Sequence, residues 1–420
     1  MLHRAAAIEE REIALADWTR SIKRSALQDM LVASARPGLL SFALGLPATE
    51  LFCAADYSKA VAHVLATDER ALQYGPPFQP LKQHVVSLMA QRGVECREEQ
   101  VFLTAGAQQG VNLLARLLLD PGRKVIVEEL TYTGCQQVLR ASQADILTVP
   151  TDSRTGIDVD AVESLLKSGE RPAFMYAVPD GHNPLAVSIS YEKRVRLVEL
   201  ARAYGMPIIE DDPYGFLYYE SAMPPLRALE DRWVLYVGTF SKIMAPALRT
   251  GWMVVPESLI THLAIIKEAS DIDMAPLNQR AISAYLDAGH LPEHLANLRQ
   301  EYRRRRDAML LALQTHFPAA ASWETPSSGL FIWVELPEGT DTGELLKVAI
   351  ETEQVAFIPG HAFCVKDEHP ATNRMRLNFS NSSVERIEDG VQRLARAMKK
   401  RTAFDLLIEQ TSASVLDILH

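Results

Sequence analysis

Four cysteines in 420 residues, none in a CxxC pair, exclude a disulfide framework and a cysteine-based zinc site. Residence in a reducing, cytoplasmic compartment is the expectation that follows. No apolar run approaches the ~18 residues needed to span a bilayer. The first stretch, MLHRAAAIEEREIALADW, has carboxylates where a secretion signal needs an apolar core. Positive charge is also scarce: 43 Lys and Arg against 53 Asp and Glu leave a net charge of −10. That balance argues against nucleic acid as the main partner, because phosphate neutralisation needs a basic face. The one basic cluster, Arg303 to Arg306, continues a helical stretch and reads as a solvated helix face. Internal repeats and low-complexity segments are absent. What is present is ordinary globular material, 48% hydrophobic and 23% charged. The length allows one large domain and a smaller one.

Along the chain, residues 1–50 read as an arm. A short helix over 18–33 is broken by Arg36-Pro37-Gly38, and SFALGLPATELF follows as an extended, turning segment. From 51 to 290, short apolar runs alternate with helical periodicity. The strand candidates are 124–127, 146–149, 173–177, 207–209, 234–237 and 252–255, and 191–204 is an example of an intervening helix. This alternation predicts an α/β unit with a mostly parallel sheet covered on both faces. Ligands in such sheets bind beyond the strand C-terminal ends, so the residues just after each strand deserve inspection. A long charged helix over 291–317 leads into a smaller mixed unit, 291–400. Its strands are expected at 331–336, 355–358 and 375–379, and its helices at 342–353 and 384–399. The tail, 401–420, is either a packing helix or disordered.

The residues after the strands form a chemical series. In RWVLYVGTFSKIMAPALRTGWMVV, Lys242 sits in a polar turn between two apolar runs, with the hydroxyls of Thr239 and Ser241 before it and Arg249 after it. Most lysines are surface charge. Here, however, a hydroxyl pair and an arginine could clamp a dianionic phosphate while the amine forms an imine, which is pyridoxal phosphate (PLP) chemistry. After 207–209 come Glu210, Asp211, Asp212, Pro213 and Tyr214. Asp212 reads as a turn former. Asp211 could face a pyridinium nitrogen and keep it protonated, making the ring a better electron sink, and Tyr214 could donate to the phenolate oxygen. After 173–177, Asn183 offers a second donor to that oxygen, although Asn-Pro alone is a turn signal; His182 reads as a loop histidine. TAGAQQG, ending at Gly110, opens a helix whose first N–H groups could approach a phosphate. Tyr132, beyond 124–127, could stack on a flat ring, where a tyrosine is otherwise core or rim.

Taken singly these signals are modest; their order is specific. The chain resembles the fold-type I PLP enzymes, class I/II aminotransferases, and within them the kynurenine/α-aminoadipate aminotransferase branch. The matching stretches are FALGLP, LQYGPP, TAGAQQG, VEELTYTG, VPDGHNP, IIEDDPYGFL, GTFSKIMAPALRTGW, PSSGLFIWVELP, FIPGHAF and MRLNFS, spanning about 42–380. The resemblance implies a large domain with a mostly parallel central sheet sandwiched by helices, plus a smaller α+β domain. It implies amino transfer from an L-amino acid to a 2-oxo acid by ping-pong kinetics, with Lys242 as Schiff-base lysine and proton shuttle. Asp211 would partner the pyridine nitrogen, Asn183 and Tyr214 the phenolate oxygen, and Tyr132 the ring face. The backbone of Ala107 and Gln108, with Thr239, Ser241 and Arg249, would form the phosphate cup. Arg376 would grip the substrate α-carboxylate, and Gly45 would allow its close approach. Tyr74 would reach the phosphate of a neighbouring subunit, which implies a homodimer with shared sites.

The chain departs from the branch at several points. Ala107 stands where a serine is usual, and Thr239 replaces another serine but keeps a hydroxyl. Asn-Pro-Thr-Gly reads Asn183-Pro184-Leu185-Ala186. SIKRSALQ is similar to a short arm helix whose arginine binds a distal carboxylate, which would make Arg24 a substrate ligand; its neighbours Lys23 and Ser25 differ, and an exposed helix arginine is the competing reading. A PLP lyase, decarboxylase, cyclase or oxidase would use the same residues, because the pocket decides the fate of the carbanion. The fold also serves as the effector domain of bacterial regulators. Those carry a helix-turn-helix before it, whereas here the arm begins near residue 1, so this is the lesser expectation.

Overall fold

Seven strands form the larger sheet of the computed structural model, which describes residues 13–16, 18, 19, 30, 36–366 and 371–418. They are β1 (Val101–Thr104), β2 (Lys124–Glu128), β3 (Asp145–Val149), β4 (Phe174–Ala177), β5 (Ile208–Asp211), β6 (Val234–Thr239) and β7 (Gly251–Val254). Their order is β1-β7-β6-β5-β4-β2-β3; β7 is antiparallel to β1 and β6, and the other pairs are parallel. Both faces are covered, which is why these strands read as near-continuous apolar runs. Val125 and Val127 pack on one face with the helices Ala107–Leu118 and Thr133–Ala141. Ile126, between them, packs on the other face with Val159–Lys167 and Tyr191–Tyr204. Six strands lie where the sequence predicts them. The seventh, β1, is four buried residues leading straight into the Gly-rich helix start, too short to show a period of its own.

The second sheet is antiparallel throughout, in the order β8 (Ser322–Trp323), β9 (Phe331–Glu335), β11 (Arg374–Asn378), β10 (Ile358–Pro359). The strand expected over 355–358 is divided at Phe357. Val355–Ala356 pairs in parallel with Leu40–Ser41 of the arm, and only Ile358–Pro359 joins β11. The arm is thereby stitched to the smaller sheet, which carries Leu44 to Leu46 to the junction with the larger one. The helix expected over 342–353 forms as Thr342–Val348 followed by a wider π turn, Ala349–Glu353. The last helix runs Val384–Ile418, so most of the segment read as a tail is helical. The arm helix expected over 18–33 lies outside the described residues except for Trp18, Thr19 and Met30.

A buried charge cluster braces the loops after β4 and β5. Arg92, just past the helix Gln79–Gln91, donates Nη2 to Asp180 (2.9 Å) and to Asp212 (3.3 Å), and Nη1 to the Gly215 carbonyl. Arg194 donates to the other Asp180 oxygen at 2.6 Å. The Asp212 turn expected from sequence is present, its carboxylate accepting the Gly215 N–H at 2.6 Å, but Asp212 also takes part in this cluster. Arg92→Met removes the cation shared by two buried carboxylates. It is expected to destabilise the protein by about 3–5 kcal/mol, read as a lowered urea midpoint at unchanged slope.

Candidate active site

The C-terminal edge of the larger sheet delivers the site. Asp211 is the last residue of β5 and Thr239 the last of β6, with Ser241 and Lys242 directly beyond. The loop after β4 brings Asn183, and the loop after β2 brings Tyr132. From the opposite side come Arg376 in β11 and Gly45 in the arm. These residues, with Ala107, Gln108, Tyr214 and Arg249, line one cavity of about 260 Å³. Among the described residues, one expected site residue is not in it. Tyr74 is 74% exposed on the surface, and Arg24 lies outside the described residues.

Lys242 Nζ donates to the Gly45 carbonyl at 2.7 Å. Burial pushes its pKa down to about 8, helped by the positive charges of Arg376 and Arg249 and opposed by Asp211. A Cβ at Gly45 would come within 2.9 Å of the Phe331 ring, so a larger residue there would have to displace that ring. Asp211 accepts a hydrogen bond from Tyr176 through Oδ2 at 2.6 Å, while its buried Oδ1 has no partner. Burial raises the Asp211 pKa to about 6, against the Tyr176 hydrogen bond and Lys242. Tyr176 is a site residue that the sequence reading missed. The available signal was a phenol inside a buried apolar strand, where its hydroxyl must find a partner.

At one end of the cavity the groups suit an anion. The helix Ala107–Leu118 begins at Gly106, whose φ of 86° is left-handed and where a Cβ would sit 2.7 Å from Arg249 Nη2. Arg249, itself at φ 45°, donates to the Ala105 carbonyl at 2.9 Å. Ser241 receives the Thr239 hydroxyl at 2.9 Å, and its own N–H donates back to Thr239 Oγ1 at 3.1 Å. Free helix N–H groups, a hydroxyl and a guanidinium make a phosphate-type donor set.

At the other end Arg376 is fully buried. It donates Nη1 to Asn183 Oδ1 (2.6 Å) and Nη2 to the Ala43 carbonyl (2.5 Å), and its Nε has no partner. Its guanidinium lies over Phe331 and Phe363, 4.1 and 4.9 Å from the ring centroids. Burial lowers its pKa to about 10. Tyr214 packs edge-on against Phe331 at 5.9 Å, and burial raises its phenol pKa; burial likewise takes Tyr132 up to about 12. A cavity with an orphaned carboxylate oxygen, an anion-suited donor set, an amine whose pKa is lowered to about 8 and a second guanidinium fits PLP: a ring nitrogen proton for Asp211, a phosphate for the donor set, an aldehyde for Lys242.

The desolvated amine has a consequence for the cofactor-free protein. In the unfolded chain Lys242 titrates near 10.5, and in the folded one near 8. Between these values the unfolded state binds more protons, so stability rises with pH across that window. At ~1.4 kcal/mol per unit, Lys242 contributes up to about 3 kcal/mol of this rise. Urea titrations of cofactor-free wild type and Lys242→Met at pH 7.5 and 9.5 measure it. The variant is expected to be the more stable at pH 7.5, with the gap narrowing at pH 9.5.

Comparison with known proteins agrees with the geometry. The family model for aminotransferase class I and II matches residues 46–394. The 2-aminoadipate transaminase of Thermus thermophilus is 36% identical over 386 residues, covering 90% of this chain and 94% of that protein. The aromatic-amino-acid aminotransferase 1 of Thermococcus litoralis is 34% identical, covering 90% and 92% respectively. Among solved structures, an α-aminoadipate aminotransferase of Thermus thermophilus, complexed with N-(5′-phosphopyridoxyl)-L-leucine, superposes with a TM-score of 0.86 at 34% identity, covering 93% of this chain and 98% of its own. A buried amine, an unpartnered carboxylate oxygen and an anion-suited donor set around one cavity thus occur in a chain that belongs to the class I and II aminotransferases, PLP-dependent enzymes of fold type I.

Proposed function

We propose that this aminotransferase moves the amino group of an L-amino acid to a 2-oxo acid, with Lys242 as the group that carries the proton. The observation that supports this most is the buried Asp211 Oδ1, left without a partner in the cavity that also holds the Lys242 amine. When bound, PLP supplies an aldehyde carbon for the substrate nitrogen and a ring that accepts electrons. The chain's residues do the rest. Asp211 holds the proton on the ring nitrogen, an opposite charge favouring the protonated form. Asn183 and Tyr214 donate to the phenolic oxygen, and Tyr132 covers one ring face. The N–H groups of Ala107 and Gln108, with Thr239, Ser241 and Arg249, hold the phosphate. Arg376 takes the α-carboxylate, its free Nε being available for one oxygen. Lys242, with a pKa near 8, has a sizeable neutral fraction near pH 7.5. It removes the proton from substrate Cα and returns it on the cofactor side, as a general base poised near working pH.

The finer reading is a cytoplasmic homodimer built from the arm, a large unit over 51–290 and a small one over 291–400. Leu72 and Tyr74, two residues apart and 77% and 74% exposed, are large side chains that a second copy would cover, whose phosphate Tyr74 would reach. Four cysteines, none in a disulfide, suit a reducing compartment. Arg24 would receive the distal carboxylate of a dicarboxylic substrate.

Borohydride reduction of the PLP-loaded protein followed by peptide mass mapping tests the cofactor assignment. The pyridoxyl group is expected on Lys242; a label on another lysine, or none, would overturn it. A panel of aromatic, branched and dicarboxylic amino donors, scored for half-reactions, defines the substrate. Turnover without an oxo-acid acceptor would argue against transfer.

A further inference from the structure

His182 does not belong to a solvent loop. Both it and Glu128 are buried, 3% exposed at their side chains, with His182 Nε2 2.9 Å from Glu128 Oε2. The other ring nitrogen, Nδ1, receives the Leu185 N–H at 3.4 Å. With Nδ1 accepting, the nitrogen left to carry the proton is Nε2, the one that meets the carboxylate. The second Glu128 oxygen accepts the Thr151 hydroxyl at 2.7 Å, so both oxygens are engaged.

The pair joins two neighbouring loops. Glu128 ends β2, four residues before Tyr132; His182 lies in the loop after β4, directly before Asn183. β2 and β4 are adjacent parallel strands, so both loops leave the same edge of the sheet. The backbone of the His182 turn is closed on itself by His182 N–H to the Val187 carbonyl (2.8 Å) and Ala186 N–H to the His182 carbonyl (2.5 Å). The imidazole therefore pins a turn already rigid in itself to the end of β2. The Asn183 amide projects from that turn to Arg376.

We propose that His182 and Glu128 are positioning residues: their buried polar contact fixes the Asn183 turn relative to the Tyr132 loop, and through Asn183 sets the orientation of Arg376 toward the substrate carboxylate. Neither touches the reacting atoms. The proposal rests on the roles given above to Asn183 and Arg376.

The test compares PLP-loaded His182→Leu, His182→Gln and Glu128→Gln with wild type. Leucine fills the space without a donor, whereas the glutamine amide nitrogen can occupy the place of Nε2 and donate to Glu128. His182→Leu is expected to raise KM for the amino donor roughly tenfold or more, with a smaller fall in kcat, because a carboxylate anchor is misplaced. It should also move the pH midpoint of the holoenzyme's visible absorbance by about half a unit or more, since Asn183 faces the phenolic oxygen. His182→Gln is expected to restore both readouts. Glu128→Gln keeps the shape and weakens the acceptor, and should shift both in the same direction by a smaller amount; it carries the test if His182→Leu does not fold. If Leu and Gln at 182 lower the melting temperature alike while KM and the absorbance midpoint stay at wild-type values, the pair is only structural and the proposal is overturned. If wild type forms no visible absorbance band with PLP, the site reading fails, independently of His182.

Discussion

Lys242→Ala is expected to lower the rate of the half-reaction by about 10⁴-fold, the upper end of the range for loss of a positioned general base. Among the described lining residues there is no second amine: the other basic side chains, Arg376 and Arg249, are guanidiniums. The protein should still fold, because the substitution removes a desolvated cation held by one carbonyl contact, to Gly45. It should also still take up PLP, because Asp211 and the groups proposed to hold the phosphate are untouched. Two measurements separate a base from a structural lysine. Equilibrium binding of PLP to the variant should be weakened but present. Small primary amines added to the variant should restore part of the rate, in proportion to their basicity. A variant with unaltered turnover would remove Lys242 from the chemistry altogether.

Much of this site could be read from the sequence because the fold puts chemistry where the apolar pattern stops. A parallel strand buried on both faces has no room for polar residues until it ends, so Asp211, Thr239 and Lys242 stand out at the ends of IIED and VLYVGT. What the sequence did not disclose was pairing at a distance. Tyr176 reaches Asp211 across 35 residues, His182 reaches Glu128 across 54, and Arg92 reaches Asp180 across 88. None of these partners has a local signature, and each is a polar group satisfied only once neighbouring strands are in register. Strand β1 escaped for a related reason: its partner in the sheet is the antiparallel β7, some 150 residues on, and four residues carry no usable period. Arg376 is an intermediate case. As an isolated arginine in a short strand it means little; the resemblance of MRLNFS marked it, and the fold brings it to the cavity of the other sheet.

Arg376 is also the position with the second largest expected effect. Its guanidinium is held by Asn183 and Ala43 and backed by two phenyl rings, in surroundings that already lower its pKa to about 10. Such a cation is poorly solvated and gains most from an arriving carboxylate. Arg376→Ala is therefore expected to reduce kcat/KM by about 10²–10⁴-fold, corresponding to ~3–5 kcal/mol for a buried hydrogen-bonded charge pair. Arg376→Lys keeps a charge but loses the planar fork and the ring stacking, and should recover only a small part. The effect must fall on both half-reactions, since amino donors and 2-oxo acid acceptors share the α-carboxylate. Primary amines that lack this carboxylate provide the control. Their slow reaction with the enzyme-bound cofactor should proceed at a similar rate in wild type and Arg376→Ala, because the missing interaction was never made. Stopped-flow absorbance of the two half-reactions reads all of these rates. A loss confined to the donor side, or an equal loss with the simple amines, would show that Arg376 supports the pocket without holding the carboxylate.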